Sequence, residues 1–110
     1  MASTFGVELS MPEPAAEAQE RAATALIEPA RAIGLELAKR GDRELDYKAR
    51  IVYPLNLTLW HRGEQMTVKF DPAAEGGTRV IISGALAKSK QARAADPEHW
   101  SDALEGASSA

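Results

Sequence analysis

Residues 4–11 alternate strictly, with Phe5, Val7, Leu9 and Met11 on one side and Thr4, Gly6, Glu8 and Ser10 on the other. This period of two predicts a half-buried strand. Pro12-Glu13-Pro14 stops it and opens a helix, with Ser10 or Glu13 at its start and Pro14 in its first turn. Ala15, Ala18, Ala22, Ala25, Leu26 and Ile33 fall near one helical stripe, and Glu17 and Arg21 are spaced as an i,i+4 pair on the other side. The helix is expected to run to about Glu28, with Pro29 ending or kinking it.

The pattern then returns to a period of two. Leu35 and Leu37 alternate with Glu36, and Gly41-Asp42-Arg43 supplies a turn. Leu45, Tyr47, Ala49 and Ile51 then alternate with Glu44, Asp46, Lys48 and Arg50, which reads as a hairpin with one wet face. Tyr53, Leu55, Leu57 and Leu59 keep the same phase past Pro54, so the chain either bends at a sheet edge or begins a new strand. After the turn at His61-Arg62-Gly63-Glu64, Met66, Val68 and Phe70 face inward. A second loop from Asp71-Pro72 to Gly76-Gly77 leads into Thr78–Ser83. That strand is apolar on both faces around Val80, Ile81 and Ile82, as in a central or helix-covered position.

Helix signals close the chain. Ala85-Leu86-Ala87-Lys88 offers one start, and Asp96-Pro97-Glu98 a sharper one, with Asp96 as N-cap and Pro97 in the first position. The last helix carries Trp100, Ala103 and Leu104, and residues 106–110 read as a frayed tail beyond an ordered region of about 4–105. Consecutive strands joined by short turns make the sheet antiparallel. The expected fold is therefore a single α+β domain over residues 1–110. It has five or six strands, one long N-terminal helix and one C-terminal helix on one face, in the order β-α-β-β-β-β-α.

Composition narrows the function. Ala supplies 21 of the apolar residues, and Leu, Ile, Val and Phe together another 21, so the sheet must provide most of the bulk. With 13 Lys and Arg against 16 Asp and Glu, the net charge of −3 argues against a general nucleic-acid binder. The absence of Cys excludes thiol catalysis and thiolate metal sites. No apolar run is long enough for membrane insertion, and the first 20 residues carry acids and no Lys or Arg, unlike a signal peptide, so a cytoplasmic protein is expected.

Candidate chemistry is sparse. His61 and His99 are the two histidines, beside Glu64 and Glu98, but no HExxH spacing or carboxylate cluster backs a metal or a proton relay. No catalytic residue, metal or cofactor is assigned, and an enzyme ranks third among the readings. Between Gly76 and Ala95 the chain has Arg79, Lys88, Lys90 and Arg93 and no acid, a run read here as a solvated loop. Trp60 has the opposite parity to Leu55, Leu57 and Leu59: it either faces outward or is returned to the core by a bulge. Trp100 is expected to pack on the sheet.

Trp60, Gly63-Glu64, Thr67-Val68-Lys69-Phe70 and Gly77-Thr78-Arg79-Val80 together resemble a group of small bacterial proteins. These are similar in outline to a shortened helix-grip fold of the pollen-allergen and START-like type. The resemblance spans roughly residues 5–105 and implies binding of a small apolar ligand between sheet and helix. Phe5, Leu37, Tyr47, Ile51, Leu57, Phe70 and Trp100 are the ligand-facing candidates. The rival reading is a protein–protein interaction or homodimerisation module using the sheet edge, Trp60 and Ile81.

Overall fold

The computed structural model describes residues 2–49 and 64–109. Four helices and five strands are laid out as β1 (Ala2–Met11), α1 (Ala15–Ala25), α2 (Ile27–Ala32), β2 (Leu35–Gly41), β3 (Glu44–Ala49), β4 (Gln65–Pro72), β5 (Thr78–Ala87), α3 (Lys88–Ala94) and α4 (Pro97–Ser109). The strands form one antiparallel sheet in the order β1-β5-β4-β3-β2. The α+β class and the antiparallel sheet agree with the sequence reading. The strand expected around Tyr53–Leu59 lies outside the described residues.

The alternation seen in the sequence becomes the two faces of this sheet. Phe5, Val7, Leu45, Tyr47, Met66, Val68, Phe70, Val80, Ile82 and Leu86 are buried on one face, where they join Ala18, Ala22, Leu26, Ala30, Ile33, Trp100 and Leu104 from the helices in one core. The opposite face is polar. There Arg79 reaches Glu8 at 3.2 Å and Asp71 at 3.7 Å, and Thr67 Oγ1 donates to Asp46 Oδ1 at 3.1 Å. β5 is central, as expected, paired to β1 and β4, and Ile81 sits half-buried on the polar face between Glu8 and Lys69. Gly84, on the inner face between Phe5 and Met66, admits no side chain, because a Cβ there would lie 2.8 Å from the Met66 Cα.

The single long N-terminal helix is corrected to two short ones, divided at Leu26 (φ −90°, ψ 0°). Pro29 is the cause, acting one turn upstream of itself. Its ring nitrogen cannot bond the Ala25 carbonyl, and the ring crowds that oxygen, so regular helix ends at Ala25 and Pro29 falls in the first turn of α2. Gly34, at φ 78°, then closes α2 by donating to the Arg31 carbonyl at 3.0 Å.

The start of α1 also differs. Pro14 is its N-cap, without a side-chain cap, and Glu13 pairs with Arg21 instead, Arg21 Nη2 donating to Glu13 Oε1 at 2.9 Å. This replaces the expected Glu17–Arg21 pair. Arg21 Nη1 also donates to the Leu104 carbonyl, tying α1 to α4, and Gln19 fastens the β2–β3 hairpin through the Gly41 carbonyl at 2.9 Å.

At the other end, the single C-terminal helix is corrected to α3 and α4, and the basic stretch read as a loop is the end of β5 followed by α3. Asp96 opens α4 as expected, its Oδ1 accepting from the Glu98 N–H at 3.1 Å. Trp100 is fully buried, and its indole donates to the Ala94 carbonyl at 2.7 Å, which fixes the corner between the two helices. No helix among the described residues is long and apolar enough to cross a membrane.

Candidate functional site

The kink that separates α1 from α2 swings α2 against the start of β2, and a recess opens between them. Ile27, Ala30 and Arg31 from α2 line one side; Leu35, Glu36, Leu37 and Tyr47 from β2 and β3 line the other. Its volume is about 190 Å³. Larger hollows lie along the outer side of α1, by Glu13, Glu17 and Glu20, and around the hairpin loops, by Asp42, Arg43 and Gly76, but no large apolar side chain lines either.

One observation singles out the recess. Among the described residues, the large apolar side chains left exposed are Ile27 at 48% and Leu37 at 41%, and both line it. Leu37 stays uncovered because β2 is an edge strand of the described sheet and carries a bulge between Leu37 and Lys39. Directly across from Leu37 stands Tyr47, only 2% exposed, whose hydroxyl is buried without a hydrogen-bond partner. Burial pushes the Tyr47 phenol up to about 12.

The end of the sheet beyond this recess holds a buried carboxylate. Glu64 accepts from the Ala87 N–H at 3.1 Å and from Lys90 Nζ at 3.2 and 3.3 Å, while its carbonyl accepts from the Ala49 N–H at 3.2 Å. A Cβ on Gly34 would lie 3.2 Å from the same Lys90 nitrogen. Glu64 therefore joins the start of β4 to the start of α3, with the α2–β2 turn pressed alongside.

The expected ligand-facing residues divide into three groups. Leu37 and Tyr47 line the recess. Phe5, Phe70 and Trp100 are buried in the common core and do not line it. Ile51 and Leu57 lie outside the described residues, as do Trp60 and His61. His99 is half-buried on α4, edge-on to Trp100 with ring centroids 4.9 Å apart, and its Nε2 has no partner. No group of three or more His, Cys, Asp or Glu among the described residues is arranged to hold a metal ion.

Sequence reasoning did not single out Ile27 or the inward position of Glu64. A signal existed for the second: the even-numbered inward set Met66, Val68 and Phe70 extends back to residue 64.

No known family profile matches the chain, and no curated protein matches it. Solved structures do. One is Ara h 8.0201, with a TM-score of 0.50 and 12% identity over 100% of this chain and 100% of that one. Another is TTHA0849 from Thermus thermophilus, with a TM-score of 0.42 and 14% identity over 96% of each chain. The likeness to Ara h 8.0201 shows a fold of the Bet v 1-like helix-grip type.

Proposed function

We propose that this protein is a non-enzymatic module that binds a small apolar ligand between its sheet and its helices, at the recess bounded by α2, β2 and β3. One observation carries the reading: the two large apolar side chains left exposed among the described residues, Ile27 and Leu37, converge on the mouth of one recess. Apolar side chains scattered singly on a surface are ordinary, whereas two that meet at one recess form a patch a ligand can cover. The helix-grip fold supports the same reading, since the fold class is associated with apolar ligands, although fold alone does not assign function.

The rival reading, self-association through a sheet edge, is opposed at the β2 edge by the character of that strand. Glu36, Lys39 and Arg40 are exposed along it and the bulge interrupts its ladder, both of which discourage strand addition.

Native mass spectrometry of the purified full chain, with a thermal-shift screen of small apolar compounds, tests the proposal. The expected result is a monomer that carries or takes up a small apolar mass. Ile27→Glu and Leu37→Glu should abolish uptake and leave the fold intact, because both side chains are already exposed. Uptake unchanged in both variants overturns the proposal, and a ligand-free dimer that dissociates in Leu37→Glu transfers the recess to self-association.

A further inference from the structure

We infer that the recess takes a small monocarboxylate with an apolar body of about six to eight carbons, and that Arg31 selects it by holding the carboxylate at the rim. This rests on the reading of the recess as a ligand site and adds the ligand's class and the residue that chooses it.

The walls set the body of the ligand. Ile27, Ala30, Leu35 and Leu37 give the recess a mainly aliphatic lining. Its volume of about 190 Å³ compares with roughly 150 Å³ for an apolar cavity that admits six-carbon benzene, which limits what it encloses to about six to eight carbons. Anything longer leaves its remainder in water.

The rim sets the head. Ile27 and Arg31 lie one helical turn apart on the same side of α2, and both line the recess, so a cation stands at the end of the apolar wall. Among the described residues Arg31 Nη1 donates to Glu28 Oε1 at 3.1 Å, while Nε and Nη2 have no partner. That ion pair is exposed on both sides, with side chains 54% and 80% accessible, and exposed pairs are weak. The guanidinium can therefore turn toward a ligand without breaking a buried contact, and its planar fork offers a carboxylate two parallel N–H groups.

The nearby acids do not take its place. Glu28 is not part of the lining, and Glu36, which is, is already engaged elsewhere. An incoming head group thus meets Arg31 with donors to spare, and Glu28 is its competitor for them. A neutral head forgoes the charge-assisted bond, and a cationic one is repelled.

Octanoate, 1-octanol and octylammonium carry these three heads on one chain. Titrating each into the ¹⁵N-labelled full chain, followed by the amide shifts of Ile27, Leu35 and Leu37, tests the inference in wild type, Arg31→Met and Glu28→Gln. Octanoate is expected to bind about three- to fivefold more tightly than octanol, with octylammonium weakest. The preference should vanish in Arg31→Met and shrink as salt is raised, and octanoate should bind about twofold more tightly in Glu28→Gln, where the competitor is gone. Dodecanoate should gain less than about threefold over octanoate, because its extra carbons lie outside the recess. Both substitutions fall on exposed side chains, and circular-dichroism melts verify the folds. Equal binding of octanoate and octanol, a preference that survives Arg31→Met, octylammonium as the tightest ligand, weaker octanoate binding in Glu28→Gln, or a tenfold gain for dodecanoate overturns this inference and leaves the recess as a ligand site. If no probe moves those amides, while the co-purified mass or screen hits still depend on Ile27 and Leu37, the monocarboxylate assignment alone falls. If those are absent too, the ligand-site reading falls with it.

Discussion

The Glu64 carboxylate and the Lys90 ammonium meet at 3.2 Å on the inner side of the sheet end, with the acid 6% exposed and the base 28%. The asymmetry decides what each substitution does. Lys90→Met removes one partner of a carboxylate that cannot reach water, and should cost about 2 kcal/mol. Glu64→Gln should cost less, because the amide oxygen still accepts from the Ala87 N–H and Lys90 can turn to solvent. Urea midpoints at constant m-value measure both; a loss in Lys90→Met no greater than in Glu64→Gln would show that the pair behaves as a surface contact.

Glu13 links the fold to acid. The Arg21 guanidinium bonded to it holds its carboxyl below the ordinary value of 4.5, against a smaller opposing effect of burial. A lowered folded pKa contributes stability that is complete above the unfolded value and is lost as pH falls through the folded one. The gap in urea midpoint between wild type and Glu13→Gln should therefore be constant from neutrality down to about pH 5 and close below pH 4.5. A gap that persists at the acid end would remove the ion pair as its source.

Tyr47 works at the opposite end of the scale. The folded protein keeps its phenolic proton up to about pH 12, where the unfolded chain releases it near 10, so stability falls as pH rises between these values. The two-unit difference corresponds to ~3 kcal/mol at full ionisation. Tyr47→Phe deletes the unpartnered hydroxyl and keeps the ring. It should raise ligand-free stability by about 1 kcal/mol, a few degrees in Tm, and move alkaline unfolding to higher pH. Thermal melts and tyrosinate absorbance provide the check, and a destabilised variant would mean that the hydroxyl is bonded in solution.

Gly84→Ala tests how closely β4 and β5 approach. The new methyl would press on main-chain atoms, the Met66 Cα at 2.8 Å and the Gln65 carbonyl closer still, and neither can rotate away. A loss of about 2–4 kcal/mol is expected. Gly6→Ala is the matched control in the same sheet: nothing lies within 4 Å of its added carbon, so it should be neutral or slightly stabilising. Equal effects at the two positions would contradict the geometry.

What could be read in advance follows from which forces are local. Strand parity is local, so the buried faces of Phe5, Val7, Leu45, Tyr47, Met66, Val68 and Phe70 were legible, and so was the Asp96 cap. The position of the α1–α2 break was not, because Pro29 acts through the carbonyl four residues before it and the hydrophobic stripe runs on through Leu26 to Ile33. α3 was hidden for another reason. Lys88–Ala94 has no strong apolar stripe, and its placement rests on long-range bonds: Lys90 to Glu64, Gln91 to the Thr4 carbonyl at 2.8 Å, and the Ala94 carbonyl to Trp100. Of the recess, Leu37 and Tyr47 were legible as inward apolar positions. Their exposure and the contribution of Ile27 depend on where an edge strand and a kinked helix end, which periodicity does not encode.

The strand order has a bearing on how the chain reaches this structure. β1 has no neighbour other than β5 in the described sheet, with Met11 against Thr78 and Ala2 against Ala87, so the first strand of the sheet pairs only with the last. The β2–β3 hairpin closes over a few residues, but seating β1 means closing a loop that spans most of the chain before any pairing compensates the lost entropy. Until then the pairing that helps bury Phe5, Val7 and Met11 is missing, and the long sequence separation predicts that the docking of residues 78–87 beside them comes late in folding.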